Sequence, residues 1–213
     1  MPFITAVEPE FSTILCERDL HPHAPGERAE LFHALNGGSA ELEVLEFLYA
    51  LVFLFKPSHL LETGTGNGFG TLALVKAVAR NGFGTIHTVD IDSRCLSNTR
   101  ELLERAFPEK IDRVHLHEKR SLDFIEEWTG PLFDFVFFDS LISFRHLEFR
   151  AMKEKGLLAR GAVCVFHDTS RLRGETMHDY NPKMIQALDD ESKGKQWLES
   201  GLSRGVRVLR LDE

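Results

Sequence analysis

Residues 58–79 read SHLLETGTGNGFGTLALVKAVA, and this stretch constrains the fold more than any other. Residues 59–62 read as a short strand, glycines follow at 64, 66, 68 and 70, and a helix opens near Thr71. Glycine has no Cβ, so such a loop turns sharply and lets a ligand approach its backbone. The helix behind it aims N–H groups without intrahelical partners at the loop, which suits a polar or anionic ligand. Strand, glycine loop and helix together predict the first unit of an α/β sheet with a nucleotide-type cofactor site. A glycine-rich turn that binds nothing is the plain alternative, and the loop alone does not decide between them.

Spacing narrows the cofactor. A dinucleotide loop needs G-x-G-x-x-G, whose third glycine permits close helix–strand packing. Counted from Gly64 that third position is Phe69, and counted from Gly66 it is Thr71. Neither register fits, which argues against an NAD-dependent oxidoreductase. The loop instead carries Glu62 two residues ahead of alternating Gly64, Gly66 and Gly68. That pattern resembles the first motif of class I methyltransferases that use S-adenosylmethionine (SAM).

Downstream, residues 85–89, 114–118, 133–138 and 161–166 read as strands, with helices expected over 93–107, 122–128 and 144–155. Apolar strands alternating with helices predict a parallel sheet covered on both faces. A helix from Ser39 as N-cap, with Glu41 in its first turn, ends near residue 55 ahead of Pro57. Helices are also expected over 182–188 and 196–199, and residues 205–211, GVRVLRL, read as a last, antiparallel strand at the sheet edge. The expectation is a Rossmann-like, doubly wound, mostly parallel sheet with an antiparallel C-terminal edge strand, over residues 39–213. Residues 1–38, broken by Pro2, Pro9, Pro22, Pro25 and Gly26, show no sustained period. They serve either as a lid over the site or as an arm or homodimer contact. His21 and His23 in this segment have no carboxylate or thiol cluster beside them and read as a solvated loop.

In open α/β sheets the ligand crevice lies beyond the carboxyl ends of the strands. Glu62, Asp90, Ser121, Asp139 and Asp168 all fall at such ends. Asp90 closes its strand where one carboxylate can accept from two neighbouring ribose hydroxyls, whereas Asp92 reads as a helix N-cap. A formal net charge of −8 without a basic stripe argues against a nucleic-acid partner. The most apolar run, 47–55, is too short for a bilayer, which takes about 20 residues. Cys16, Cys95 and Cys164 are scattered and odd in number, so a reducing, cytoplasmic setting is expected rather than a disulfide framework.

The segments LLETGTGNGFGTLAL, TIHTVDID, RVHLHEKRSLDFI, FDFVFFDS and LLARGAVCVFHDT follow, over about residues 40–170, the motif order of SAM-dependent O-methyltransferases. The chain most resembles the small-molecule families related to catechol and caffeoyl-CoA O-methyltransferases and the methyltransferase 24 family. The resemblance implies that Glu62, Gly64, Gly66 and Gly68 hold the methionine part of SAM, with Thr65 and Asn67 between them in cofactor contact. It also implies Asp90 on the ribose, Ile91 packed on the adenine, Arg120 and Ser121 at the adenine edge, and Asp139 beneath the sulfonium.

The chain departs from those relatives in places. Their third-strand motif, Gly-Asp-Ser, is Lys119-Arg120-Ser121 here. A guanidinium cannot accept from an adenine amino group, so adenine recognition falls to backbone or Ser121. Metal-dependent relatives hold Mg²⁺ with two acids and an amide; Asp139 and Asp168 match the acids, and Thr169 stands at the amide position. Either these acids hold a metal, or Asp139 orients the cofactor while Asp168 caps a turn. The lysine base of the catechol type is Ile142 here, which leaves His146 or His167 as the base beside Asp139. The function expected is methyl transfer from SAM to a hydroxyl of a small-molecule substrate. A non-catalytic SAM-fold binding module is the alternative, with an oxidoreductase behind it.

Overall fold

The computed structural model describes residues 19–20, 33–34, 39–171, 182–191, 196–201 and 204–211. Seven strands form one sheet: β1 (His59–Thr63), β2 (Thr85–Asp90), β3 (Val114–Glu118), β4 (Phe133–Phe138), β5 (Leu158–His167), β6 (Gln196–Ser200) and β7 (Val206–Arg210). Their spatial order is β3-β2-β1-β4-β5-β7-β6. β1 to β5 run parallel, β7 pairs antiparallel with β5, and β6 antiparallel with β7. The chain moves outward from β1 to β3, then returns to place β4 on the other side of β1. That reversal is the switch point where open sheets bind ligands.

Alternation along the strands explains the two layers. In β4, Phe135 and Phe137 join one core cluster, while Val136 and Phe138 join the other, and all are fully buried. Each such side chain contributes roughly 1.5–3 kcal/mol of transfer free energy. One face is covered by α1 (Leu42–Phe55), α2 (Phe69–Asn81) and α3 (Ser93–Ala106). The other is covered by α4 (Ser121–Glu127), α5 (Arg145–Glu154) and α6 (Pro182–Glu191).

Three local expectations change. Gln196–Ser200 is a strand, not a helix, and it lies outside β7, so the antiparallel edge is two strands deep. Five residues with mixed propensity take the ladder that β7 offers rather than an isolated helical turn. The N-cap of α1 is Glu41, not Ser39, and its side chain caps nothing in the helix. Asp92, by contrast, caps α3 through Arg94 N, as its sequence position predicts.

Of residues 1–38, Asp19–Leu20 and His33–Ala34 pair antiparallel, and His33 N donates to Glu43 Oε2 at 3.1 Å, tying the segment to α1. His21, His23 and the lid-or-arm question lie outside the described residues. Among the described residues no helix is long and apolar enough to cross a membrane.

Candidate active site

A cavity of about 610 Å³ opens at the carboxyl ends of β1, β2, β4 and β5, a size that suits a cofactor-scale ligand. Its first pole is the glycine loop between β1 and α2. Gly64 has φ +85°, and a Cβ there would lie 2.5 Å from the Asp139 carbonyl oxygen, so only glycine lets the loop lean on the end of β4. Gly64 N bonds Val89 O at 2.9 Å, and Asp139 N bonds Thr63 O at 2.9 Å, which locks loop and strand ends together. Asp90 clamps the far side: its two oxygens accept from Gly66 N and Asp92 N, each at 2.9 Å.

Beneath the loop runs a buried chain of polar side chains. Thr65 and Thr88 hydroxyls meet at 2.6 Å, Thr88 donates to Glu62 Oε2 at 2.7 Å, and Thr71 donates to the same oxygen. Burial pushes the Glu62 carboxyl up to about 8; the two threonine hydrogen bonds oppose the rise, and Asp139 and Asp90 add to it. Glu62, Gly64, Thr65, Gly66, Asn67, Asp90, Ile91, Arg120, Ser121 and Asp139, all expected from sequence, line this one cavity, whereas Gly68 serves as the N-cap of α2 behind it. The Ile91 side chain is 70% exposed at the cavity rim, an apolar group left in water. Ser121 donates to Glu148, a fully buried carboxylate that also accepts from Thr63 Oγ1 at 2.8 Å.

The second pole is ionic. Arg145, from the first turn of α5, reaches Asp139 Oδ1 at 3.0 Å and Asp168 Oδ2 at 2.9 Å. Arg204 holds both oxygens of Asp168, through Nε at 2.6 Å and Nη2 at 3.1 Å. Asp168 takes φ +59°, a left-handed conformation that its two guanidinium partners help to fix. Gly205 has φ +84°, and a Cβ there would sit 2.3 Å from Ser170 N, so glycine is what brings the Arg204 turn onto β5. Behind Asp139 lies His167, fully buried, with Nδ1 2.9 Å from Asp139 Oδ1 and Nε2 2.7 Å from Glu41 Oε2. Glu41 Oε1 in turn accepts from Arg204 N at 2.9 Å. Burial would raise the Asp139 pKa, but His167, Arg145 and Arg204 outweigh it and hold the carboxyl below its usual range.

Two expected bases are misplaced for proton transfer. His167 has both ring nitrogens directed at carboxylates and no exposed surface, and His146 is half-buried on α5. Neither lines the cavity. The metal expectation meets a similar obstacle. Asp139, His167 and Asp168 do bring ligand atoms within 4.8 Å of one another, but Arg145 Nη2 lies between the two aspartates. Thr169, at the amide position, is buried outside the cavity lining, its hydroxyl without a partner among the described residues. This donor set, filled by a guanidinium, does not fit a divalent cation.

Sequence reasoning missed Arg145, Arg204 and Glu41. Glu41 falls on the same helical stripe as Val44, Leu45, Leu48 and Val52, and Arg145 on the stripe of Phe149 and Met152. A charge on an apolar stripe is the signal that was available. Arg204 carries no local signal.

A switch-point cavity with a glycine-loop pole and strand-end carboxylates defines a nucleotide-cofactor α/β protein. The model of the methyltransferase 24 family, described as a methyltransferase domain, matches residues 61–169, more than half of the chain. The chain belongs to this family and is a methyltransferase. No curated protein matches it. Its fold is shared by the O-methyltransferase TomG from Streptomyces achromogenes, involved in tomaymycin synthesis and solved in complex with SAM (20% identity, 82% of each chain covered, TM-score 0.66). It is shared as well by an O-methyltransferase from Bacillus cereus in complex with SAH (21% identity, 83% of this chain and 84% of that one, TM-score 0.66). A third similar structure is the SAH-bound methyltransferase PaMTH1 from Podospora anserina (21% identity, 82% and 80%, TM-score 0.65).

Proposed function

We propose that the chain transfers a methyl group from SAM to a hydroxyl of a small molecule. The observation that carries this reading is the clamp of Asp90 on the glycine loop across one cavity, with exposed Ile91 beside it. The methionine end of SAM would lie over Gly64 and Gly66, its ammonium toward Glu62. A carboxylate offers about four lone-pair directions, so Asp90, already accepting from two backbone N–H groups, keeps acceptor capacity for ribose hydroxyls. Ile91 would lose its water contact under the adenine, with Arg120 and Ser121 at its edge. Similar folds solved with SAM or SAH bound support the cofactor. The thiols Cys95 and Cys164, both free, suit a reducing cytoplasmic setting.

The transfer is an in-line displacement. The acceptor oxygen bonds the methyl carbon, the S–C bond breaks, the sulfonium becomes a neutral thioether, and the hydroxyl proton leaves to Asp139 or water. Positioning of the two reactants supplies most of the acceleration. Asp139 held below its usual range is a weak base, so the site favours an acceptor whose hydroxyl is itself acidic, such as a phenol. Leu141, Ile142 and Phe144 give that side of the cavity an apolar wall.

Calorimetry tests the cofactor: one SAM or SAH per chain is expected, with no binding of NADH. Failure to bind either SAM or SAH would remove the proposal, and NADH binding in their place would turn it toward a dehydrogenase. Transfer of labelled methyl to a panel of phenols and alcohols then tests the chemistry. SAM binding without transfer to any of them would favour the binding-module reading.

A further inference from the structure

We infer that this methyltransferase carries its own cation at the ionic pole: the Arg145 guanidinium occupies the place of a divalent metal, and the site excludes one. The inference deepens the methyltransferase reading of the cavity and depends on it for its meaning in the reaction.

Position comes first. Asp139, His167 and Asp168 are the grouping of metal-capable side chains found among the described residues. Arg145 Nη2 bridges its two aspartates, 3.0 Å from Asp139 Oδ1 and 2.9 Å from Asp168 Oδ2. The guanidinium is anchored independently of them, because Nε donates to Ser140 O at 2.8 Å and Nη1 to His167 O. Magnesium bonds oxygen at about 2.0–2.1 Å and demands near-octahedral space. An ion bridging these carboxylates would have to displace a group held at four points.

Charge points the same way. Arg145 and Arg204 already balance Asp139 and Asp168, while Glu41 faces His167. Two further positive charges would leave the pole strongly cationic with its carboxylates already engaged. Guanidinium does not deprotonate in proteins, so no accessible pH clears the place, as it would for a lysine. His167 offers no open metal ligand either, because both ring nitrogens are already engaged, Nδ1 2.9 Å from Asp139 Oδ1 and Nε2 2.7 Å from Glu41 Oε2.

The consequence for the reaction is a fixed positive charge on the cavity wall. Arg145 lines the cavity beside Ser140 and Asp139. Under the proposed transfer its charge would offset the negative charge that grows on the acceptor oxygen as the proton leaves, the task that a Lewis-acid metal performs in metal-dependent sites. Arg204 acts through Asp168 and is a positioning residue.

Manganese is the probe, since its free aqua ion is counted by electron paramagnetic resonance. The purified full-length chain is expected to leave Mn²⁺ free at concentrations where Arg145→Ala binds one ion per chain, at least tenfold tighter. Asp168→Asn added to Arg145→Ala should abolish that gain. One Mn²⁺ bound by the unmodified chain and lost on Asp168→Asn would overturn the inference, and that arm needs no arginine variant to fold. A folded Arg145→Ala chain, judged by circular dichroism, that gains no Mn²⁺ would overturn it as well. SAM binding is measured by calorimetry on the same samples. Its failure in the unmodified chain would remove the methyltransferase reading and leave the manganese result to be judged by itself.

Discussion

At one end of the cavity the walls are backbone amides and threonine hydroxyls, and at the other they are guanidinium groups locked onto carboxylates. The glycine-loop pole is local: its hydrogen bonds join the ends of β1 and β2 to the first turn of α2. The ionic pole is assembled from five places in the chain, with Glu41 meeting His167 across 126 positions and Arg204 across 163. The second is a closed set of buried charges, in which removing one member strands another. Under the proposed function the first pole serves the cofactor and the second the acceptor, with Asp139 the residue they share, so variants away from Asp139 should damage one more than the other.

The hardest test of that separation is Glu41→Ala. It leaves the fully buried His167 Nε2 and the part-buried Arg204 N without their carboxylate. Stability measured by denaturant should fall by about 3–5 kcal/mol, with Glu41→Gln recovering part of it. SAM affinity of the folded fraction should hold; a parallel collapse of affinity would mean that the two poles are one unit.

Next in size is the converse, Gly64→Ala. The new Cβ meets the Asp139 carbonyl at 2.5 Å and the φ of +85° is unfavourable for alanine, so the loop must move off β4. SAM affinity should drop by roughly 100-fold, about 2.7 kcal/mol of lost binding. Gly66→Ala is the control within the same loop: φ is +51° and nothing lies within 4 Å of its Cβ. It should cost about 1–2 kcal/mol of left-handed strain at most. Equal losses in calorimetry would show that backbone freedom, not the approach to β4, is what position 64 supplies.

The same contrast governs how much could be read from the sequence. Glycine spacing and strand-end acids sit within a few residues of the elements that place them, so the sequence alone assigns Glu62, Gly64, Gly66, Asp90 and Asp139 to one crevice. Nothing near Arg204 announces that a turn ahead of β7 will reach Asp168, because that contact exists only after β7 pairs with β5. Asp168 is legible as an acid at a strand end, as a metal ligand or a turn cap, but nothing in the sequence names its partners in the fold, the guanidinium groups of Arg145 and Arg204. Gln196–Ser200 departs from its expected helix for a related reason: its strand form comes from the β7 ladder and not from its own residues.

A smaller effect sharpens the glycine-loop side. Glu62 is raised to about 8 by burial, so below that pH it keeps its proton in the folded chain. A SAM ammonium beside it would favour the carboxylate and expel that proton. Affinity should then rise with pH up to about 8, by no more than about tenfold per pH unit for one proton. Calorimetry in two buffers of different ionisation heat would show proton release, and Glu62→Gln should abolish it. A buffer-independent heat would place the ammonium elsewhere.

The smallest expected effect lies outside both poles and serves as their reference. His87 in β2 stacks on His115 and His117 of β3, and its Nδ1 lies 3.0 Å from His117 Nε2. Burial, then the nearby His115, His117 and His59, lowers its pKa from 6.5 to about 4. The unfolded chain therefore takes up a proton near pH 6.5 that the folded chain refuses until about pH 4. Stability is fully present above pH 6.5 and falls as pH drops from 6.5 to 4. Glu62 has the opposite sign: its folded pKa is raised above 4.5, so its contribution is lost as pH rises from 4.5 through 8. Thermal melts of His87→Phe should show an acid-side decline shallower than that of the unmodified chain by on the order of a few degrees, with SAM affinity unchanged at every pH. An affinity that followed the His87 titration would instead tie the sheet edge to the cavity and end the claim that each pole stands on its own support.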